Sequence, residues 1–134
     1  MKRINMFVLL CVLIFTLASG AWAEEKKAPL PEDGDLQGNT YILSNDYTWI
    51  MDTESTDVTL KNGIIKLNKD SQIQVKAHTL TLGSGLIIST DTAIRDAIIA
   101  SGDNSKIIIN GATIDAKNSD NTHAFVFGHH GATI

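Results

Sequence analysis

Short strand-like segments follow one another between Asp57 and Ile88. The runs VTL, IIKL, IQVK, TLTL and LII are three to five residues long and rich in β-branched side chains. Turn-forming residues such as Asn, Gly, Asp and Ser separate these runs. Polar residues fall at every second position, which is the period of a strand and not of a helix. The stretch therefore predicts an all-β fold made of many short strands.

Glycines punctuate the same kind of unit along the rest of the chain. A short strand, a glycine and another short strand recur around Gly63, Gly85, Gly111 and Gly131, at spacings of 22, 26 and 20 residues. Gly38 is a candidate for an earlier copy. Periods of this length are typical of solenoids, in which each layer buries little alone and stacked layers share one core. We therefore expect each glycine to mark a corner of a coil.

Three strands can be assigned to each turn of the coil. VTL, IIKL and IQVK form one turn, TLTL, LIIS and AIIA form the next, and KIIIN and ATIDA begin a third. The run AFVF at 124–127 either closes the third turn or opens a fourth. Because side chains alternate between the faces of a strand, the pattern also predicts the core. The residues predicted to face inward are Val58, Leu60, Ile73, Val75, Leu80, Leu82, Ile107 and Ile109.

Residues 36–56 are predicted to form an N-terminal cap. A stack of strands leaves the core and the strand edges of its first layer facing water unless another segment covers them. This segment carries Trp49, which would either cover that layer or belong to the core. The preceding residues 24–35 are charged and contain both prolines of the chain, so we predict a disordered linker there.

Residues 1–23 have the three parts of a secretory signal peptide. Lys2 and Arg3 supply the positive start, an apolar run extends from 6 to 17, and Ala-Trp-Ala at 21–23 is a cleavage signal. The apolar run has about twelve residues, fewer than the roughly twenty that span a bilayer. We therefore expect export, with membrane contact only through this signal.

Charge and cysteine content limit what the exported chain can do. Removal of Lys2 and Arg3 with the signal would change the formal net charge from −4 to −6 (9 − 15). An acidic chain has no electrostatic basis for binding nucleic acid or anionic lipid. Cys11 is the only cysteine and lies within the signal, so no disulfide is expected in the mature protein.

The phrases VKAHTLTLGSGLIIS and SKIIINGATIDA resemble right-handed parallel β-helix proteins, and in particular the start of the passenger region of bacterial autotransporters and related adhesins. The resemblance implies about four rungs over 57–134, incomplete at the C-terminus as in a fragment. It also implies a non-catalytic protein without cofactors, either secreted or at the cell surface and outer membrane, with the periplasm as an alternative. Glycans or host surface molecules would be its partners, and the open last rung would permit end-to-end self-association.

A second resemblance, to pectin-lyase-like polysaccharide lyases and glycoside hydrolases, rests on the phrases at 111–115 and 118–123. It implies Asp115 as a catalytic candidate. Such enzymes need paired carboxylates, or aspartates that hold Ca²⁺ together with a basic residue. The available carboxylate partners are Asp91 and Asp96, and the available bases are Arg95 and Lys117. The alternative is that these residues only form turns, for which Asp and Asn are the usual choice.

The histidines do not form a recognisable metal motif. His123, His129 and His130 lack the three or four convergent ligands that zinc requires, and no cysteine is available. We predict a solvated corner loop for them and a turn position for His78. No metal site is therefore predicted, although Ca²⁺ would accompany the enzymatic alternative.

Overall fold

The computed structural model describes residues 24–90, 92, 94, 96–116 and 125–134, and this part of the chain contains twelve strands and no helix. The predicted signal peptide at 1–23 lies outside the described residues. The strands are β1 (Glu25–Lys27), β2 (Thr40–Leu43), β3 (Thr48–Met51), β4 (Val58–Leu60), β5 (Gly63–Leu67), β6 (Gln72–Val75), β7 (His78–Leu82), β8 (Leu86–Thr90), β9 (Ile98–Ser101), β10 (Ser105–Ile109), β11 (Thr113–Ala116) and β12 (Val126–His129).

The strands stack into three parallel sheets. The first sheet has the order β1-β2-β5-β8-β11, the second β3-β6-β9-β12 and the third β4-β7-β10. From β2 onward, successive strands of the chain pass from the first sheet to the second and then to the third, and every named pair is parallel. The protein is therefore a parallel β-solenoid, which confirms the predicted fold class. It has about three turns, whereas about four rungs were expected.

The assignment of strands to turns also holds. β4, β7 and β10 stack in one sheet, as do β5, β8 and β11, so the three turns predicted from sequence superimpose as expected. β12 pairs with β9, with Val126 opposite Ile98. The described part of the segment AFVF, residues 125–127, therefore closes the third turn, a choice that the sequence left open.

Corner residues take backbone conformations that explain three of the glycines. Gly38, Gly85 and Gly111 have φ between 73° and 84°, a region that glycine enters without strain. At the equivalent corner before β5, Asn62 carries the positive φ of 55°, and Gly63 is required for a different reason. A Cβ on Gly63 would lie 2.5 Å from the Cβ of Leu36 in the layer below.

Gly131 belongs to a different corner, so its prediction as the fourth member of the glycine series was wrong. The other glycines lie between the third sheet and the first, whereas Gly131 follows β12 and leads from the second sheet to the third. Its Cβ would collide with the carboxylate of Asp103, in the corner one turn below. Gly131 also has a positive φ, of 85°, so glycine serves both corners and sequence spacing cannot distinguish them.

The core runs along the axis of the coil. Most residues predicted to face inward are fully buried, namely Leu60, Ile73, Val75, Leu80, Leu82 and Ile107. Val58 is half-buried near the N-terminal end. Ile109, at the C-terminal end, is 48% exposed, although it has the same parity on β10 as the buried Ile107. Alternation therefore predicts the direction of a side chain, while its burial depends on the layer above it.

The N-terminal segment differs from its sequence-based prediction. Residues 36–56, expected to cap the coil, supply β2 and β3, which pair with β5 and β6 as part of a regular turn. Residues 24–35, expected to be a disordered linker, lie across the end of that turn. β1 pairs with β2, and Leu30 is buried against the core cluster. The composition of residues 24–35 is typical of a linker. Leu30 nevertheless packs on the core, where it covers apolar side chains that would otherwise face water.

Candidate functional site

Asp115 lies on the outer face of the first sheet. It is exposed on β11, and the register places it opposite Ser89 of β8, which in turn lies opposite Lys66 of β5. Its neighbours along this face are therefore a hydroxyl group and, one turn further, an ammonium group. Within the described residues the sheet does not bring a second carboxylate onto the adjacent position.

The other members of the enzymatic hypothesis are not assembled around Asp115. Asp96 lies in the corner before β9, with φ of 46°, and does not occupy the strand position beside Asp115. Asp91, Arg95 and Lys117 lie outside the described residues, as do all the residues at 118–123. The sequence resemblance therefore remains a hypothesis with one described residue, Asp115, in the expected outward orientation.

The two C-terminal histidines lie where the second sheet ends. His129 is the last residue of β12, and His130 follows in the corner with φ of 53°. Their rings meet edge to face with centroids 4.5 Å apart, and the ring of Phe127 stacks on His129 at 5.8 Å. His123 lies outside the described residues. Among the residues that are described, no three His, Cys, Asp or Glu side chains converge as metal ligands.

His78, for which a turn position was predicted, is the first residue of a strand and pairs with Ser105 of β10. It begins β7 with φ of 67°, a conformation that few residues other than glycine adopt readily. Its Nδ1 lies 3.9 Å from an Asp57 carboxylate oxygen, and both side chains are exposed. An exposed pair at this distance contributes little to stability.

A cavity of about 500 Å³ opens at the N-terminal end of the coil. We call it the end cavity. Its apolar surface comes from the segment before β2 and from β3, and acidic side chains lie at its rim. Among the residues that line it are Pro29, Leu30, Glu32, Trp49, Met51 and Glu54. Trp49 is half-buried and packs against the core, so its indole faces the cavity from below.

The end cavity exists because the N-terminal segment pairs with two of the three sheets below it. β1 extends the first sheet beyond β2, and Asp35 forms a parallel bridge to Lys61 at the edge of the third sheet. Between these contacts the chain crosses the second sheet without pairing with β3. This crossing contains Pro29 and Pro31, which have no N–H to donate to a strand. A gap therefore remains where a strand over β3 would lie.

The rim of the end cavity is negatively charged. Glu32 and Glu54 are exposed at its mouth, and no Lys, Arg or His is found among its lining residues. The backbone N–H of Glu54 donates to an Asp52 carboxylate oxygen at 3.0 Å. This hydrogen bond fixes the loop that follows β3 and contains Glu54. The cavity thus combines an apolar, aromatic floor with two carboxylates.

Sequence reasoning missed this cavity. It identified Trp49 as a residue for the end of the coil but treated residues 24–35 as a linker without structure. The sequence feature that could have indicated the cavity is the pair of prolines on either side of Leu30. Prolines next to a buried leucine indicate a segment that packs on a sheet without forming hydrogen bonds to it.

Comparison of the chain with protein-family models, with curated proteins and with solved structures finds no match. Across the described part of the chain, no helix has the length and hydrophobicity needed to cross a membrane.

Proposed function

We propose that this chain is an exported, non-enzymatic β-solenoid that binds ligands through its outer faces, as an adhesin or an autotransporter passenger does. The observation that carries the proposal is the outer face around Asp115. Its neighbours in register are Ser89 and then Lys66, whereas hydrolysis of a glycosidic bond requires a second carboxylate close by. A calcium-dependent lyase would need several oxygen ligands in the same place.

The regular outer faces support binding to an extended ligand. On the first sheet Ile64, Ile87 and Thr113 lie in one row, and on the third sheet Thr59 lies opposite Thr81. Rows of this kind repeat at the spacing between strands, roughly 4.8 Å. Methyl and hydroxyl groups at a fixed spacing suit the mixed apolar and polar surface of a glycan, and the signal-like residues 1–23 support delivery to the cell surface.

The test compares the wild-type protein with Asp115→Ala. Both are incubated with pectin and polygalacturonate in the presence and absence of Ca²⁺, and unsaturated products and new reducing ends are measured. Binding of both proteins to an array of immobilised glycans is measured in parallel. We expect no cleavage by either protein and equal glycan binding by both, because Asp115 would be one surface residue among many.

Two results would contradict the proposal. Calcium-dependent degradation that disappears in Asp115→Ala would establish the pectin-lyase-like alternative. Absence of binding to any glycan or to host-cell surfaces would contradict a role as an adhesin. Asp70→Asn, which removes an exposed carboxylate from a corner before β6, is the matched control for the loss of one surface charge.

A further inference from the structure

We propose that the free edge of β3 and the end cavity together bind an extended basic peptide, which adds a strand to the second sheet. This inference concerns the N-terminal end of the coil and is independent of whether the outer faces bind glycans. It rests on three features of the described residues: an unpaired strand edge, a cavity beside that edge, and the charge of the cavity rim.

The hydrogen bonds of β3 show which of its backbone groups are free. Gln72 N–H donates to the Tyr47 carbonyl at 3.0 Å, and Lys76 N–H donates to the Met51 carbonyl at 2.8 Å. In a parallel ladder the bonding residues of a strand alternate. Residues 47, 49 and 51 therefore bond to β6, and the N–H and C=O groups of Thr48 and Ile50 point to the opposite edge. Within the described residues β3 is the terminal strand on that side of its sheet.

The end cavity lies along this edge and offers room for the side chains of an added strand. Trp49 and Met51 lie opposite the buried Ile73 and Val75, so they mark the inward side of β3. A residue added opposite Trp49 or Met51 would place its side chain in the cavity, where an aliphatic group would bury apolar surface. Ile50 has the opposite parity and is 44% exposed, so residues added beside it would face outward.

The charge of the rim determines the kind of peptide. Glu32 and Glu54 lie at the mouth of the cavity, and its lining has no basic side chain. The negative charge of the rim would attract a peptide that carries Lys or Arg, whereas an acidic peptide would be repelled. The geometry therefore specifies an extended segment in which aliphatic and basic residues alternate, a form of recognition by strand addition.

The test uses the full chain and the peptide Lys-Val-Lys-Val-Lys, acetylated and amidated at its ends. Calorimetry gives the Kd, and hydrogen exchange followed by NMR gives the protection of single amides. With the peptide at about ten times its Kd, exchange of the Thr48 and Ile50 amides should slow by about tenfold, because only about one molecule in eleven remains free. The amides of Trp49 and Met51 already bond to β6, so their exchange should change little.

Charge variants test whether the two rim carboxylates bind the peptide or whether the negative charge of the whole protein attracts it. The double variant Glu32→Gln/Glu54→Gln should weaken binding by about two- to tenfold, as expected for two exposed ion pairs. The matched control Asp70→Asn/Asp115→Asn also removes two exposed carboxylates, both distant in sequence from the cavity lining, and should leave the Kd unchanged. The peptide Glu-Val-Glu-Val-Glu should bind at least about tenfold more weakly than the basic peptide.

Several outcomes would overturn the proposal. Binding without protection of Thr48 and Ile50 would show a ligand that does not form a strand, and absence of binding at millimolar peptide would show that the edge is not a docking site. Equal binding of both peptides would contradict the charge argument. Protection of the two amides that rises with protein concentration in the absence of peptide would identify a second copy of the chain as the occupant.

Discussion

Asp35 shows at the scale of one residue how the N-terminal segment is held to the first regular turn. Its carboxylate accepts hydrogen bonds from the Gln37 N–H at 3.0 Å and from the Asn62 side-chain amide at 3.3 Å. The ammonium group of Lys61 lies 3.5 Å from its other oxygen. The pKa of Asp35 is held below its usual value of 3.8. The hydrogen bond from the Gln37 backbone is the largest cause, and Asn62 and Lys61 lower the pKa further.

The lowered pKa of Asp35 predicts a pH-dependent contribution to stability. A carboxyl group with a depressed folded-state pKa stabilises the fold fully above its unfolded-state pKa and loses that effect as the pH falls through its folded-state pKa. Asp35→Asn should therefore lower the Tm at pH 7, and this loss should shrink as the pH falls below 3.8. Thermal unfolding at several pH values measures this, with exposed Asp70→Asn as control. A Tm difference between Asp35→Asn and wild type that persists unchanged at pH 2 would contradict the electrostatic explanation.

At the scale of the strand, alternation of apolar and polar residues was sufficient to predict most of the fold. β4 to β11 were all recognised, because a period of two and flanking turn residues are local properties. The ordering of residues 24–35 and the corner occupied by Gly131 were not predictable in this way. Both depend on contacts between turns, since Leu30 covers the core of the layer below and Gly131 lies against Asp103.

The candidate site was less predictable for the same reason. The outward orientation of Asp115 follows from alternation along its strand, but the identity of its neighbour Ser89 follows from the register between turns. The end cavity requires knowledge of which strand remains unpaired, and that depends on how the N-terminal segment crosses the second sheet. Sequence therefore indicated side-chain directions and left the neighbours across turns undetermined.

Two isoleucines on β10 allow the effect of a covering layer to be measured. Ile107 and Ile109 have the same parity on the strand, but Ile107 is fully buried and Ile109 is 48% exposed. Ile107→Ala should lower the free energy of unfolding by about 2–5 kcal/mol, and Ile109→Ala by about 1 kcal/mol or less. Urea unfolding of both variants provides the comparison, since they remove the same atoms. Equal losses would show that the end layer is covered in solution.

At the scale of the whole molecule, each turn contacts mainly the turns beside it, so stability is not expected to be uniform along the coil. Among the described strands of the first sheet, β5 and β8 have a neighbour on both sides, while β11 has only β8. Solenoid stability is close to a sum over layers and their interfaces. Exposed apolar side chains, including Ile109 and Phe127, are found in the last turn and indicate a poorly covered end.

This asymmetry predicts that the coil opens from its C-terminal turn. Amides that bond between β5 and β8 should require an opening free energy at least about 1.4 kcal/mol greater than those that bond between β8 and β11, a tenfold difference in exchange rate. Native-state hydrogen exchange measures both sets in one sample, and Ile107→Ala should speed exchange in β10 to β12 more than in β5. If all protected amides instead showed one common opening free energy that fell equally in the variant, the solenoid would unfold as a single cooperative unit. In that case the interfaces between turns would have to be strong enough to prevent opening of the end turn alone, despite its exposed isoleucines.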